Sequence, residues 1–521
     1  MHTILPLFVV IPILLAVFVY VFSDVRVVPK IAMAAQGTFA LLAVYLLYIT
    51  HFETIIVVIG DYEGFLGILL MADSLSAIFI TITIIIFFAV AIYSYNNVYD
   101  KENRFYWFLL FILEGVLLGL FLTRDFFNIF VLIEVSTVVV VILLMYDRKT
   151  RNLFQGMTFL MVNIVVMQFY LFGLGYIYMM TGVLDIFRAG ELLDHDNIAL
   201  PYALIMTSIA SKCSLFPMVT WLPKLKSLKG ARFTIMAIMS GLQVKTAVYL
   251  FIRFQDIFAI GNEFFLIIGV ITAIGGIIFA LSHNDIRLIL AYSTIAQIGL
   301  IVVGISLGGD SYFGGVFHIV NHALFKFALF LVAGMICFQF KTNNINEMRG
   351  LLNINRPLAI VSIALVFSIA GVPFFNGFAS KYFLSVEAYG SIYEWLIILI
   401  NFGTILIFVR FFMIFLGKSN IKKVGNVKNR FFVIATIAVI CLILGIFGPQ
   451  IIYFMFGHSL KFDIMGYMQK VIIFIISLVI AIILNKYINF EILKPLRTLK
   501  IGFGSICVSI GVFFALVLIF I

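Results

Sequence analysis

The chain has 521 residues, of which 64% are apolar and only 11% charged, whereas soluble domains carry about 25% charged residues. No single soluble core grows to this length on such a composition, so a soluble enzyme, a nucleic-acid module and a disordered tail are all excluded. The formal charge of +10 therefore needs a reading other than nucleic-acid binding.

Apolar runs of about 20 residues, each enough to cross some 30 Å of hydrocarbon, follow one another from end to end. Sixteen candidate spans start near residues 3, 28, 72, 105, 125, 153, 200, 233, 262, 287, 313, 357, 391, 431, 467 and 501. The first lacks a basic leader and a small-residue cleavage site, and reads as a retained span. The fold class is an all-α polytopic membrane protein of about 14–16 transmembrane helices. Turns after odd-numbered spans and their edges hold 24 of the 34 basic residues, and even-numbered ones hold five: Arg124, Arg188, Arg253, Lys461 and Lys470. Cytoplasmic loops collect Lys and Arg, so this bias puts both termini outside. Two acidic turns, around Glu53, Asp61 and Glu63 and around Asp185, Glu191, Asp194 and Asp196, are long enough for short surface helices. Cys213, Cys337, Cys441 and Cys507 lie far apart, so neither a disulfide nor a metal site is expected, and no cofactor motif occurs.

Five basic residues remain inside apolar runs: Lys212, Lys245, Lys326, Lys381 and Arg410. Glu114, Glu134, His318 and His322 join them. Each ionised group at mid-membrane costs about 2.5–3.5 kcal/mol, roughly 15–25 kcal/mol for the set, which anchoring alone does not require. Arg410 sits near a helix end and is expected to snorkel to the headgroups. His318, His322 and Lys326 are spaced four apart, so they share one helix face and can hand protons along it. Two spans carry breaks: Pro217 follows Lys212, and Gly371, Pro373 and Gly377 precede Lys381. Helices broken beside a buried lysine mark an ion path, since freed backbone groups are tolerated only against protein or a water-filled cavity.

Six strings carry a family resemblance: LTRDFFNIFVLIE, SKCSLFPMVTWLP, GLQVKTAVYLFIR, NDIRLILAYSTIAQIG, FHIVNHALFKFALFLVAG and AGVPFFNGFASKYFL. In this order, over roughly residues 70–420, the chain resembles the antiporter-like subunits of respiratory complex I, Mrp antiporters and membrane-bound hydrogenases, nearest to Mrp D-type subunits. The resemblance implies two inverted five-helix repeats, at 101–255 and 260–418, each supplying a half-channel. An N-terminal three-helix segment, 1–100, precedes them, and C-terminal helices, 430–521, are expected to dock neighbouring subunits. It also implies that Glu134 pairs with Lys212, that Lys245 links the half-channels, that His318 and His322 continue the relay, and that Lys381 ends it. Gln297 stands where many relatives carry His, and Glu114 is an extra acid, a candidate proton or sodium site near Glu134.

The function implied is ion translocation, either proton pumping or Na⁺/H⁺ antiport, as one subunit of a complex in a prokaryotic cell membrane. Its partners would be lipids and other membrane subunits, with a soluble redox arm (hydrogenase or ferredoxin-linked) in a redox-driven complex. The chain has no redox chemistry of its own. Two alternatives are a membrane partner in inorganic-carbon transport and a structural anchor with an inactive path. Charged lysines cannot ligate sodium, so the relay favours protons through this subunit.

Overall fold

The computed structural model describes residues 4–25, 27–59, 68–95, 103–146, 150–193, 197–226, 232–419, 421, 427–460, 462–497 and 502–521. Arg26, Asp61, Glu63, Lys101, Arg148, Lys149, Asp194, Asp196, Lys229, Lys422, Lys423, Lys461 and Lys500 lie outside them.

Hydrocarbon offers the backbone no hydrogen-bond partner, so each apolar run closes its amides internally as a helix. The membrane helices are α1 Leu7–Val21, α2 Val28–Thr50, α3 Ser74–Tyr93, α4 Arg104–Leu122, α5 Phe126–Met145 and α6 Thr150–Thr181. After a short surface helix, α7 Ile186–Leu192, the chain re-enters as α8 Ala199–Lys212 and α9 Trp221–Lys226. Next come α10 Phe233–Ile238, a π-helical turn Met239–Gln243, and α11 Val244–Phe258. Then follow α12 Asn262–Ser282, α13 Ile286–Leu307, α14 Gly309–Phe340, the short α15 Leu351–Ile354, α16 Arg356–Ala370 and α17 Asn376–Leu384. The remainder is α18 Ile392–Phe412, α19 Lys428–Ile446, α20 Gly448–Phe456, α21 Ile464–Tyr487, α22 Lys494–Arg497 and α23 Phe503–Phe520. All sixteen candidate spans coincide with a helix whose start lies within four residues of the expected one. Thirteen of the helices described are long and apolar enough to cross a membrane.

Acids in the turns start these helices. Asp73, Asp125, Asp285 and Asp463 accept backbone N–H groups at the first turns of α3, α5, α13 and α21, satisfying donors that a helix start leaves open. Asp185 does the same for α7, the surface helix expected there. On either side of the other acidic turn, β1 Ile55–Ile59 and β2 Ile68–Ala72 pair antiparallel, and the short helix expected around Asp61 and Glu63 falls outside the described residues. The β-branched IIVVI run of β1 favours a strand, and five apolar residues are too few to hold a helix.

One pairing occurs twice. Phe126 N–H bonds Leu184 C=O and Ile186 N–H bonds Arg124 C=O, tying the start of α5 to the start of α7. Likewise Ile286 N–H bonds Asn343 C=O and Ile345 N–H bonds Asn284 C=O, tying the start of α13 to the segment after α14. Both expected breaks are present, between Lys212 and Trp221 and between Ala370 and Asn376. The π turn in the eighth span is a third irregularity, which no proline announces.

The last two spans return to the body of the chain. α21 packs on α18, α22 on α12, and α23 on α8 and α6. The opposite face of α21 is apolar and exposed, including Met468, Ile472, Ile475, Val479 and Ile483.

Close approach at the α16–α17 break requires glycine. A Cβ on Gly377 would lie 1.7 Å from Ser368 O, a backbone atom that cannot swing aside. Gly377→Ala is expected to cost at least the about 1–3 kcal/mol of an overpacked core, lowering the melting temperature of the detergent-solubilised protein. Gly175→Ala, where nothing lies within 4 Å, should leave it unchanged, and equal behaviour of the two would refute the close approach.

Candidate functional site

The buried charges fall into three groups. In the first, Lys212 ends α8, where the partial negative charge of the helix C-terminus suits a cation. Trp221 Nε1 donates to Ser211 O at 2.9 Å and holds the chain in place past the break. Lys212 Nζ donates to Thr137 Oγ1 at 3.0 Å, on the face of α5 that also carries Glu134 one turn earlier. Glu134 is close enough to interact with the Lys212 charge, but the direct ion pair expected between them is not formed among the described residues. The hydroxyl of Thr137 takes the lysine's hydrogen bond, and Glu134 Oε1 is buried without one. Beside them lies a cavity of ≈ 20 Å³, room for about one water, lined by Thr137, Asn163, Ser208, Lys212, Gln243 and Thr246. It joins Lys212 to the π turn, and Gln243 Nε2 donates to Ser136 Oγ at 3.2 Å.

The second group is continuous. Lys245, buried on α11, donates to Ser240 O, a carbonyl within the π turn. Such turns disturb the regular ladder of a helix and are frequent at functional sites. Ser240 Oγ bonds Thr294 Oγ1 of α13 at 2.8 Å, and Thr294 Oγ1 donates to Leu290 O, also at 2.8 Å. The same Leu290 O accepts Lys326 Nζ of α14 at 3.1 Å, and Lys326 also bonds Ser293 Oγ. Hydroxyls and carbonyls thus connect Lys245 to Lys326 with no carboxylate between them. His318 and His322 follow on α14, their rings 6.2 Å apart and nearly parallel.

The third group couples His318 to the α17 break. Gln297 Nε2 donates to Thr404 Oγ1 at 3.1 Å, which leaves its Oε1 as the acceptor for His318 Nε2–H at 3.0 Å. His318 Nδ1 lies 2.8 Å from Ser380 Oγ, and that hydroxyl also lies 2.8 Å from Asn376 O. One hydroxyl proton therefore has two acceptors. With neutral imidazole it points at Nδ1; with imidazolium it points at Asn376 O while Nδ1–H donates to Ser380. Both states are bonded without moving a heavy atom. Lys381, next in sequence, donates to Ile369 O at 3.1 Å, at the end of α16. Its side chain lies over Gly371, whose φ of +80° and missing Cβ leave it room.

Two residues sit outside this line. Glu114, fully buried on α4, accepts Gln36 Nε2 of α2 at 2.7 Å, which ties it to the N-terminal helices. Arg410 reaches the turn between α12 and α13: it donates to Leu281 O at 2.6 Å and His283 O at 3.0 Å and bonds Asn284 Oδ1, closing open carbonyls at the end of α12. The unforeseen members, Thr137, Ser240, Ser293, Thr294, Ser380 and Thr404, are hydroxyls that nothing in the linear sequence separates from ordinary core Ser and Thr.

A family model described as "NADH:quinone oxidoreductase/Mrp antiporter, TM" matches residues 123–408, more than half of the chain and all three groups. The chain belongs to that family. It is an antiporter-like subunit of the Mrp D type, 29% identical over 343 residues to the D-type subunit of the Na⁺/H⁺ antiporter of Alkalihalophilus pseudofirmus. That match covers 64% of this chain and 69% of the relative. The fold is shared with a chain of the Mrp complex from Dietzia sp., with a TM-score of 0.80 at 22% identity, covering 92% of this chain and 99% of that one. It is shared equally with a chain of an archaeal membrane-bound sulfane sulfur reductase, with a TM-score of 0.79 at 22% identity and the same coverage.

The Gln297 amide orients His318 in this antiporter-like fold. Gln297→Leu deletes the acceptor of a buried N–H, worth about 1–3 kcal/mol, so proton transport by vesicles should fall on the order of tenfold while the protein still accumulates. Gln297→Glu, which keeps the acceptor, should retain more transport than Leu; equal losses would count against orientation as its role.

Proposed function

We propose that this chain is the proton-translocating subunit of a multisubunit membrane complex, working in Na⁺/H⁺ antiport or in a redox-driven pump. Protons would move along Glu134, Lys212, Lys245, Lys326, His322, His318 and Lys381. The observation that carries the reading is that Lys245 and Lys326, on different helices, are both held by one cluster of neutral groups, Ser240, Leu290, Ser293 and Thr294, with no carboxylate among them. The two carbonyls hold the lysines but cannot pass a proton on, so transfer between the lysines runs over the hydroxyls of Ser240, Thr294 and Ser293 and intervening water, whereas a strong ion pair at each step would trap it. The relative named as part of a Na⁺/H⁺ antiporter and the fold neighbours from multisubunit complexes support the setting.

In this reading 101–255 and 260–418 are the two half-channels, and the pairing repeated at α5 and α13 supports their kinship. Both termini face outward in a prokaryotic cell membrane, and the apolar face of α21 is where neighbouring subunits dock. Lys212 switches between Thr137 and Glu134. Moving toward the carboxylate holds its proton; moving away releases the proton through the one-water cavity toward the π turn. Sodium, when exchanged, crosses in a partner.

Lys212→Ala, Glu134→Ala and Lys381→Met, each in the whole complex reconstituted in proteoliposomes, are expected to cut ion-driven proton transport at least about tenfold. Fluorescence dequenching of a pH probe reads the rate. A structural anchor would tolerate Leu at all three positions with transport unchanged, and that result would sink the proposal.

A further inference from the structure

One cavity that touches the relay at Lys381 has no role in it. It has a volume of ≈ 60 Å³ and reaches from Lys381 and Gly371 past Asn401 to Lys470, between α17, α18 and α21. Its lining is largely apolar, but two features suit it to water. Asn401 Oδ1 is buried there with no hydrogen-bond partner, and the volume holds a few waters able to satisfy it. At its far end, Lys470 Nζ bonds Glu394 Oε1 at 2.7 Å, and Gly390 N–H donates to Glu394 Oε2 at 3.0 Å. The side chains of this pair are 20% and 16% exposed, so the pair stands between the cavity and the aqueous phase at the end of α18 and α21 where both helices begin.

Both ammonium groups, Lys381 and Lys470, line the same small cavity. Water this confined screens charge poorly, so an unpaired Lys470 would repel any proton leaving or approaching Lys381. Glu394 cancels that repulsion, and a bare Glu394 would instead draw protons in.

We propose that the Glu394–Lys470 ion pair is the gate at the mouth of the Lys381 cavity, and that its balance of charge controls proton exchange between Lys381 and the aqueous phase. This rests on the relay reading above. It assigns transport roles to α18 and α21, outside the residues that the sequence singles out. It also explains why Lys470, one of the few basic residues away from the cytoplasmic rim, faces inward with a carboxylate dedicated to it.

The test uses the whole complex in liposomes, measuring ion-coupled proton transport and, separately, the decay of an imposed pH gradient without the coupled ion. Glu394→Gln leaves Lys470 unpaired and is expected to slow coupled transport about tenfold without adding leak. Lys470→Met leaves the carboxylate unpaired and is expected to speed gradient decay about tenfold, a leak that Lys381→Met in the same chain removes. The double variant Glu394→Gln/Lys470→Met restores a neutral mouth and should return both rates to within about twofold of the parent, because the effects are coupled. If a single variant fails to accumulate, the reversed pair Glu394→Lys/Lys470→Glu takes its place and should transport like the parent. Full loss on Lys381→Met, with both single gate variants at parental rates, overturns the gate and leaves the relay standing. Parental transport by Lys381→Met overturns the relay, and the gate with it. A reversed pair or a neutral pair as impaired as Glu394→Gln overturns the charge-balance argument.

Discussion

An ammonium group inside hydrocarbon has three donors to satisfy, and the partners this chain gives it are mostly uncharged. Lys245 bonds a carbonyl in the π turn, Lys326 a carbonyl of α13, Lys381 the carbonyl of Ile369 at the end of α16, and Lys212 a threonine hydroxyl. Two of those carbonyls are available because a helix departs from its regular ladder there. The breaks and the lysines are thus one device: the irregular backbone would be too costly without a donor, and the lysine without an acceptor.

Carboxylates are placed differently. Arg124–Asp185, Arg253–Asp73, Arg287–Asp285 and Arg497–Glu491 all lie at helix ends, where they fix turns and caps. Removing one partner of a buried pair strands a charge, whereas a lysine bonded to a carbonyl can lose its proton and leave only neutral groups behind. The interior is therefore built for changes of charge state and the rims for permanence. Glu134 and Glu114 are the exceptions among the described residues: Glu134 lies within reach of the line but is not clamped to it, and Glu114 is buried on α4 against Gln36.

Most of the architecture was legible because hydrocarbon imposes length and apolarity, and both are linear properties. The sixteen spans, the two proline- and glycine-marked breaks and α7 follow from run length and turn residues. The pairing of β1 with β2 was missed because attention to the acidic turn passed over the β-branched run beside it, which favours a strand. The π turn was invisible because Met239–Gln243 contains no breaker beyond one glycine. The partners of Arg410 were not legible because a position near a helix end says nothing of which helix lies opposite, here the carbonyl end of α12. Glu134 and Lys212 were found by their charge, but the hydroxyl between them depends on how α5 and α8 meet, which sequence spacing does not carry.

The course of the chain after α18 bears on how such a protein can move. α21 lies on α18, α22 passes against α12, and α23 ends on α6 and α8, so one continuous segment spans both broken-helix regions. Transporters that expose a site alternately to each side do so by rocking one bundle against another. A strap fastened to both bundles resists such rocking, and the proposed relay of lysines, histidines and hydroxyls has no need of it. The moving parts of the proposed relay are protons, water and side-chain rotors, which exchange far faster than helices can swing.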